Sequence, residues 1–461
     1  MRHSKSVFAV LMGALLLLGA CSLYNHTYPV NEPPQPGYEL RIVQFDDFGS
    51  FWDSNTAQQV LSDVEAQSLS MTSSTFVVLF AHGWQHNAAS DDENLQDFRA
   101  SLGKLSAQLS QPERRAARQA LTGSAEFKLI GIFTGWRGRS LPGFLDYGTM
   151  WWRKAAAERL GDGDLSEFLE RLQRIYLRAN AYSRYVENPG HTPLTGLITI
   201  GHSFGGQAVL KAVGRPIEQE LTMRAPCVTD AVKPVIVPPA PTPERVAIDS
   251  FGDLNILLNP ATEAYQFARV DGLYRQLTYP YQQTPQLVIF SADNDSARQA
   301  FFPIARGVTR PFRPKFQNSH QGALWGKALG EFSEQRTHEL NLAAGEPNSL
   351  SDDDFMPENR QKIAQYDFSS QTVFAGVKLT RLPNTPVITN SPVEVIYTHD
   401  KIIDGHNGIF QPQFLDFLAQ YIAFIEGKRI VLRYEEFEQR RQGQSPAAAA
   451  ASPTPPNCAS R

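Results

Sequence analysis

Short apolar runs alternate with amphipathic stretches along most of this chain. Residues 38–45, 76–80, 128–133, 197–200, Leu254–Leu258, 286–290 and 393–397 read as strands. The run at 76–80 has no charge, as expected of a strand buried on both faces. Between the runs apolar positions recur at helical spacing, for example across 207–213. This alternation predicts an α/β domain over about 38–435, with a mostly parallel central sheet and helices on both faces. Two stretches break it, about 138–195 and about 300–390. Both read as helical insertions able to cover a sheet edge as a lid.

The two ends differ from the middle. Arg2, His3 and Lys5 precede an apolar run from Val7 to Leu18, too short for a comfortable span of ~20 residues. Leu18-Gly19-Ala20-Cys21 then resembles a bacterial lipobox. That resemblance implies a signal peptide over 1–20 and lipid on Cys21. With Ser22 next, it also implies a protein held at the outer membrane and facing the periplasm. Residues 21–37 carry Pro29, Pro33, Pro34 and Pro36 and read as a tether. Residues 436–461, Pro- and Ala-rich from Gln442, read as a disordered tail, and the proline cluster 234–243 as a surface loop.

Composition removes several function classes. Lys and Arg total 43 against 47 for Asp and Glu, a formal charge of −4. A mildly acidic chain offers no electrostatic footprint for nucleic acid. Three cysteines are too few for a disulfide scaffold or a cysteine-built zinc site. Cys227 and Cys458 are the pair the periplasm would allow, but Cys458 lies in the tail, so no structural bridge is expected. Gly322 to Ala328 has neither the length nor the final Ser/Thr of a phosphate loop.

The strongest chemical signal is Gly201-His202-Ser203-Phe204-Gly205, followed by Gly206. A serine on a sharp strand-to-helix turn needs neighbours without bulk. The turn lifts its hydroxyl to a helix N-terminus, where backbone N–H groups face developing negative charge. The run 197–200 before it and the helical pattern after it supply the context that a nucleophile elbow requires.

With Phe80-Ala81-His82-Gly83-Trp84 after the charge-free run, the chain resembles the α/β-hydrolase superfamily over about 76–425. The resemblance implies an oxyanion hole from the backbone N–H groups of Trp84 and Phe204, with His82 bracing its loop. The chain order nucleophile, acid, histidine then implies a base downstream of Ser203. His406, in Asp404-Gly405-His406-Asn407-Gly408 after the last strand, is preferred to His399, and His320 and His338 read as lid or core residues. The acid is expected just past the strand 286–290. Asp295 is chosen, Asp293 stands beside it as the alternative, and Asp253 is a third option. Either Asp293 or Asp295 also suits a helix N-cap.

Two further features bear on the substrate. Gly135-Trp136-Arg137-Gly138, after the strand 128–133, resembles a turn in a poorly characterised group of these hydrolases, and Met150-Trp151-Trp152-Arg153-Lys154 comes soon after. Leu141, Phe144, Leu145, Tyr147, Trp151 and Trp152 are candidates to line an acyl or aromatic pocket, or else to pack the lid on itself. Arg137 and Arg153 either hold the insertion by ion pairs or bind an anionic group. His82 and His86 do not read as a metal pair, because Gly83 interrupts them and no Glu follows the first. The expected function is a lipid-anchored serine hydrolase of short to medium carboxylic esters. It needs no metal or organic cofactor, and its partners are a small-molecule or lipid ester and the membrane. Amides, peptides or lactones are the alternative substrates. A non-catalytic binding or scaffold lipoprotein of the cell envelope is the alternative function.

Overall fold

The computed structural model describes residues 25–441, except positions 30, 31, 34, 71, 142–145, 147, 148, 186–192, 228–244, 246, 302–314, 344, 357 and 384. The 1–20 signal segment, Cys21, the proline cluster 234–243 and residues from Gln442 onward lie outside the described residues.

Side chains along the central strands feed two separate cores. In β2 (Ser74–Ala81), Val77, Leu79 and Ala81 join one apolar cluster, and Phe76, Val78 and Phe80 join the other. Burial on both faces is why such a run lacks polar alternation. The other strands are β1 (Glu39–Gln44), β3 (Phe127–Gly135), β4 (Thr195–His202), β5 (Leu254–Leu258), β6 (Leu287–Ala292), β7 (His338–Leu342), β8 (Thr372–Phe374), β9 (Val377–Arg381) and β10 (Val393–Thr398). They form one sheet in the order β1-β3-β2-β4-β5-β6-β10-β7-β9-β8. Every pairing from β1 to β7 is parallel, and only β7–β9 and β9–β8 are antiparallel. The protein is therefore α/β with a mostly parallel, mixed ten-stranded sheet.

Helices α1 (Ser54–Ser68), α4 (Met150–Asp162), α5 (Asp164–Tyr185), α6 (Phe204–Arg224) and α7 (Ala264–Tyr274) cover one face. Helices α2 (Glu93–Leu109), α3 (Pro112–Thr122) and α10 (Pro412–Arg441) cover the other, while α8 (Ser319–Gly326) and α9 (Arg360–Ala364) are short. The chain leaves β2 toward β3 on one side and leaves β4 toward β5 on the other. Adjacent strands whose connections diverge open a crevice at their carboxyl ends.

Several expectations need correction. Residues 300–390 are not a helical insertion, because β7, β8 and β9 lie there and extend the sheet edge. The pattern hid them: β7 is His-Glu-Leu-Asn-Leu, with only Leu340 fully buried in its second half, and β8 has three residues. Of the helices in 138–195, α5 packs on β4 and α6 as part of the covering layer, while α4 packs on α6 and its last turn meets the loop after β1 at the carboxyl edge of the sheet. The chain beyond residue 436 stays helical to Arg441.

The expected tether is also docked where it is described. Ser106 Oγ donates to the Gly37 carbonyl at 2.9 Å, Arg99 pairs with Glu32, and the Gln44 amide exchanges two 2.8 Å bonds with the Tyr28 backbone. Since α2 runs antiparallel to β2, these contacts climb from the amino edge of the sheet to its carboxyl edge. Cys227 is disulfide-bonded, which corrects the expectation of no bridge.

The far half of the sheet contains buried acids. Glu394, on β10, is fully buried with Oε2 accepting from Tyr421 at 3.0 Å, and burial pushes its carboxyl up to about 8. Between its ordinary value of 4.5 and about 8, the folded protein holds a proton that the unfolded chain has released. Stability from this group is complete below that window and is lost as pH rises through it. Melting temperature is therefore expected to fall across the window, and Glu394→Gln to flatten the slope. A slope unchanged in the variant would reject the assignment.

Candidate active site

Ser203 caps α6 in a conformation that few side chains tolerate, φ 56° and ψ −120°. The strain is held from both sides: its N–H donates to the Leu258 carbonyl at 3.0 Å, and its own carbonyl accepts from Ala261 at 3.0 Å. A Cβ at Gly205 would stand 2.2 Å from the Ala81 carbonyl, so the elbow can seat against β2 only with glycine there. The serine side chain therefore projects over the crevice between β2 and β4.

His406 reaches it from the loop after β10. Ser203 Oγ lies 2.7 Å from His406 Nε2, and His406 Nδ1 lies 2.7 Å from Asp295 Oδ2. Asp295 follows β6 and is fully buried. Burial opposes its ionisation, but the neighbouring His406 and Arg298 outweigh it and hold the carboxyl well below its usual range. Arg298 is itself 1% exposed; its Nε donates to Asp295 Oδ2 at 2.6 Å and its backbone N–H to Oδ1 at 3.1 Å. Asp295 thus caps the turn at Ala297–Phe301 as well as facing the histidine.

The alternatives lie elsewhere. Asp293 pairs with His399 at 3.3 Å, and Glu339 stands 3.7 Å away on the far side of that ring. Asp253 sits at the opposite end of β5, bonded to Tyr176 and to the Leu197 N–H and paired with Arg429. His320 meets Glu334. His338 opens β7 rather than lying in a helical lid, and its Nε2 donates to the Ser369 carbonyl at 2.9 Å.

The loop after β2 closes the other side. A Cβ on Gly83 would stand 2.8 Å from the Ser203 Cβ, so this loop rests on the serine. His82 is buried, which pushes its imidazole down to about 4. The Trp136 N–H donates to His82 Nε2 at 3.1 Å, so the proton must be on Nδ1, which donates to the Gly83 carbonyl at 2.9 Å. Its ring lies parallel to Trp136 at 5.4 Å, and the indole N–H donates back to the His82 carbonyl. Through these contacts His82 braces the loop and stays neutral. Phe204 is the first residue of α6, where a helix leaves N–H groups without intrahelical acceptors.

Arg137 and Arg153 both grip Asp47, and Arg153 also donates to the Arg137 carbonyl at 2.8 Å. They tie α4 to the loop after β1. A cavity of about 190 Å³ opens at Ser203, with Trp84, Met150, Trp151, Lys154, Arg298 and Asn407 among its walls. Trp152 is not a wall residue, being 66% exposed, and Leu141 is buried. Phe144, Leu145 and Tyr147 lie outside the described residues.

Three residues that the motifs did not mark hold the histidine loop. His202 Nε2 donates to the His406 carbonyl at 3.0 Å, and Asn259 Nδ2 donates to the same oxygen at 2.9 Å. Asn294 accepts from the Gly405 N–H at 2.8 Å and donates to Asp404 at 2.7 Å. Asn259 stands at positive φ directly after β5, a position where a buried asparagine signals a side chain bonding backbone. No group of residues suited to hold a metal occurs among the described residues.

No family model matches the chain, and no curated protein matches it. Among solved structures it is similar to an uncharacterized protein from Pseudomonas aeruginosa, at 8% identity and a TM-score of 0.25. That alignment covers 89% of this chain and 57% of the other. The likeness is too slight to bear on fold or function.

Proposed function

We propose that the protein is a serine hydrolase of the α/β-hydrolase type that cleaves carboxylic esters through an acyl-enzyme. The observation that carries this is the unbroken relay of two 2.7 Å contacts from Ser203 Oγ through His406 to Asp295. Support comes from the order of supply: the serine follows β4, the acid β6 and the histidine β10, all at one sheet edge. In this reading Ser203 Oγ attacks the ester carbonyl while His406 Nε2 takes its proton. The imidazolium is stabilised by Asp295 and returns the proton to the departing alcohol. The N–H groups of Trp84 and Phe204 receive the oxyanion, where one lost donor typically costs ~3 kcal/mol of barrier. Water, deprotonated by the same histidine, then releases the acid. The chemistry calls for no metal and no organic cofactor.

The cavity is smaller than the ~300–1,000 Å³ of sites for drug-sized ligands, which favours short to medium acyl groups. The lipobox resemblance adds a lipid anchor on Cys21 and a place at the bacterial outer membrane.

A fluorophosphonate probe tests the reaction class. Wild-type protein is expected to be labelled covalently, and Ser203→Ala not at all. Folded wild-type protein that resists the probe would make the scaffold alternative the better account. A series of p-nitrophenyl esters beside matched amides then tests the bond cleaved. Amide turnover equal to or above ester turnover would reject an esterase.

A further inference from the structure

We propose that the carboxyl edge of the sheet, around the cavity mouth, docks on a lipid bilayer and takes ester substrate from it; this rests on the hydrolase and lipid-anchor readings above. Eight large apolar side chains are exposed among the described residues. Five of them, Phe48, Trp52, Trp152, Tyr265 and Leu342, stand at this edge, at strand ends or in the first turns of the helices that follow. Phe48, Trp52 and Trp152 are 78%, 40% and 66% exposed, costly positions for such surface in water.

These three belong to one neighbourhood. Phe48 follows Asp47, and Trp152 precedes Arg153, which grips Asp47. Trp52 shares a small crevice with Arg137, the other partner of Asp47. Arg159 also donates to the Asp47 carbonyl, so α4 and the loop after β1 are tied into one platform. Met150, Trp151 and Lys154, on the same turns as Trp152, are walls of the cavity. Trp152 therefore stands beside the entrance to Ser203, and Phe48 and Trp52 lie on the same platform, toward β1.

The path of the N-terminal segment decides the occupant. The contacts of Gly37, Glu32 and Tyr28 carry the chain up to this same edge, where His26 and Tyr28 join the crevice beside Trp52. Only three residues separate Cys21 from Asn25. Four extended steps reach at most about 14 Å, so a lipid on Cys21 holds this edge against the bilayer rather than letting the domain swing free. Tryptophan suits that position, since its ring enters the interfacial region while its N–H stays hydrated.

The test uses the full lipid-bearing chain in vesicles of phosphatidylethanolamine and phosphatidylglycerol, three to one. Two butyrate esters are compared: soluble p-nitrophenyl butyrate, and hexadecyl butyrate dissolved in the vesicles. A Phe48→Ser, Trp52→Ser, Trp152→Ser variant is expected to keep its p-nitrophenyl butyrate rate within about twofold. Its rate on the vesicle-borne ester is expected to fall about tenfold. In parallel, brominated acyl chains are expected to quench wild-type tryptophan emission, and Trp152→Phe to remove part of that quenching. Equal loss on both esters, or quenching unchanged in Trp152→Phe, overturns bilayer docking; an apolar protein partner at this edge would leave both vesicle readouts unmoved. If wild-type protein cleaves neither ester, the hydrolase reading fails, and the quenching experiment still decides the docking.

Discussion

Replacing His406 with alanine is expected to lower kcat on p-nitrophenyl butyrate by about 10⁴- to 10⁶-fold, with the protein still folded. The size follows from the chemistry of a hydroxyl at neutral pH. Ser203 Oγ is almost wholly protonated, and among the described residues its only basic neighbour at bonding distance is His406 Nε2, 2.7 Å away. Without it, attack must shed a proton to water in a buried crevice, and the water that must then hydrolyse the acyl-enzyme has no base to take its proton. What survives is the oxyanion N–H groups and binding, which leave some rate above water. Folding should survive because the loop is held by its backbone. His202 and Asn259 both donate to the carbonyl of residue 406, and Asn294 holds Gly405, all of which an alanine retains. The control is His399→Ala, whose ring faces Asp293 and Glu339 instead of the serine. It is expected to stay within about threefold of wild type. Comparable losses in the two variants, with circular dichroism unchanged, would mean that the base has been misplaced.

The contrast between those two histidines shows what a sequence discloses here. Ser203 is legible because a strained turn leaves a local trace, glycines at fixed offsets between a strand and a helix. Strands β2 to β6 and β10 are legible because burial on both faces leaves mostly apolar runs, and β1, at the sheet edge, because its apolar and polar residues alternate. His406 is reached only through the expected order of groups along the chain. What cannot be read is anything made by contact between distant backbone segments. His202 lies within the elbow motif and Asn259 directly after the run Leu254–Leu258, yet each grips a carbonyl more than 140 positions away. Strands β7 to β9 escape because an edge pairing needs few apolar residues. The three exposed rings near Asp47 were legible as aromatic residues but not as a surface, since exposure is a property of the packed molecule.

Asp293 and Asp295 are indistinguishable by composition and differ only in which way a turn points them, so substitution of each separates them sharply. Asp295→Asn is expected to cost about 10³- to 10⁴-fold in kcat, and Asp293→Asn about threefold or less. Both oxygens of Asp295 accept bonds in the wild type: Oδ2 from His406 Nδ1 and Arg298 Nε, and Oδ1 from the Arg298 backbone N–H. An asparagine has only one oxygen. With its oxygen kept on the backbone N–H, its NH₂ faces both the arginine Nε and the histidine. The arginine is always a donor, so that contact turns repulsive. The imidazole adapts by moving its proton to Nε2 and accepting at Nδ1, the tautomer that cannot take a proton from Ser203. With the oxygen turned the other way, the NH₂ instead opposes the backbone N–H of Arg298, and the carboxylate charge that steadies the imidazolium is gone in either case. The loss should therefore appear in kcat rather than KM, with the rate of fluorophosphonate labelling falling in parallel. Asp293→Asn leaves all of these bonds in place and disturbs the half-buried pairing with His399. A large loss from Asp293→Asn beside a small one from Asp295→Asn would reassign the acid and, with it, the role of Arg298.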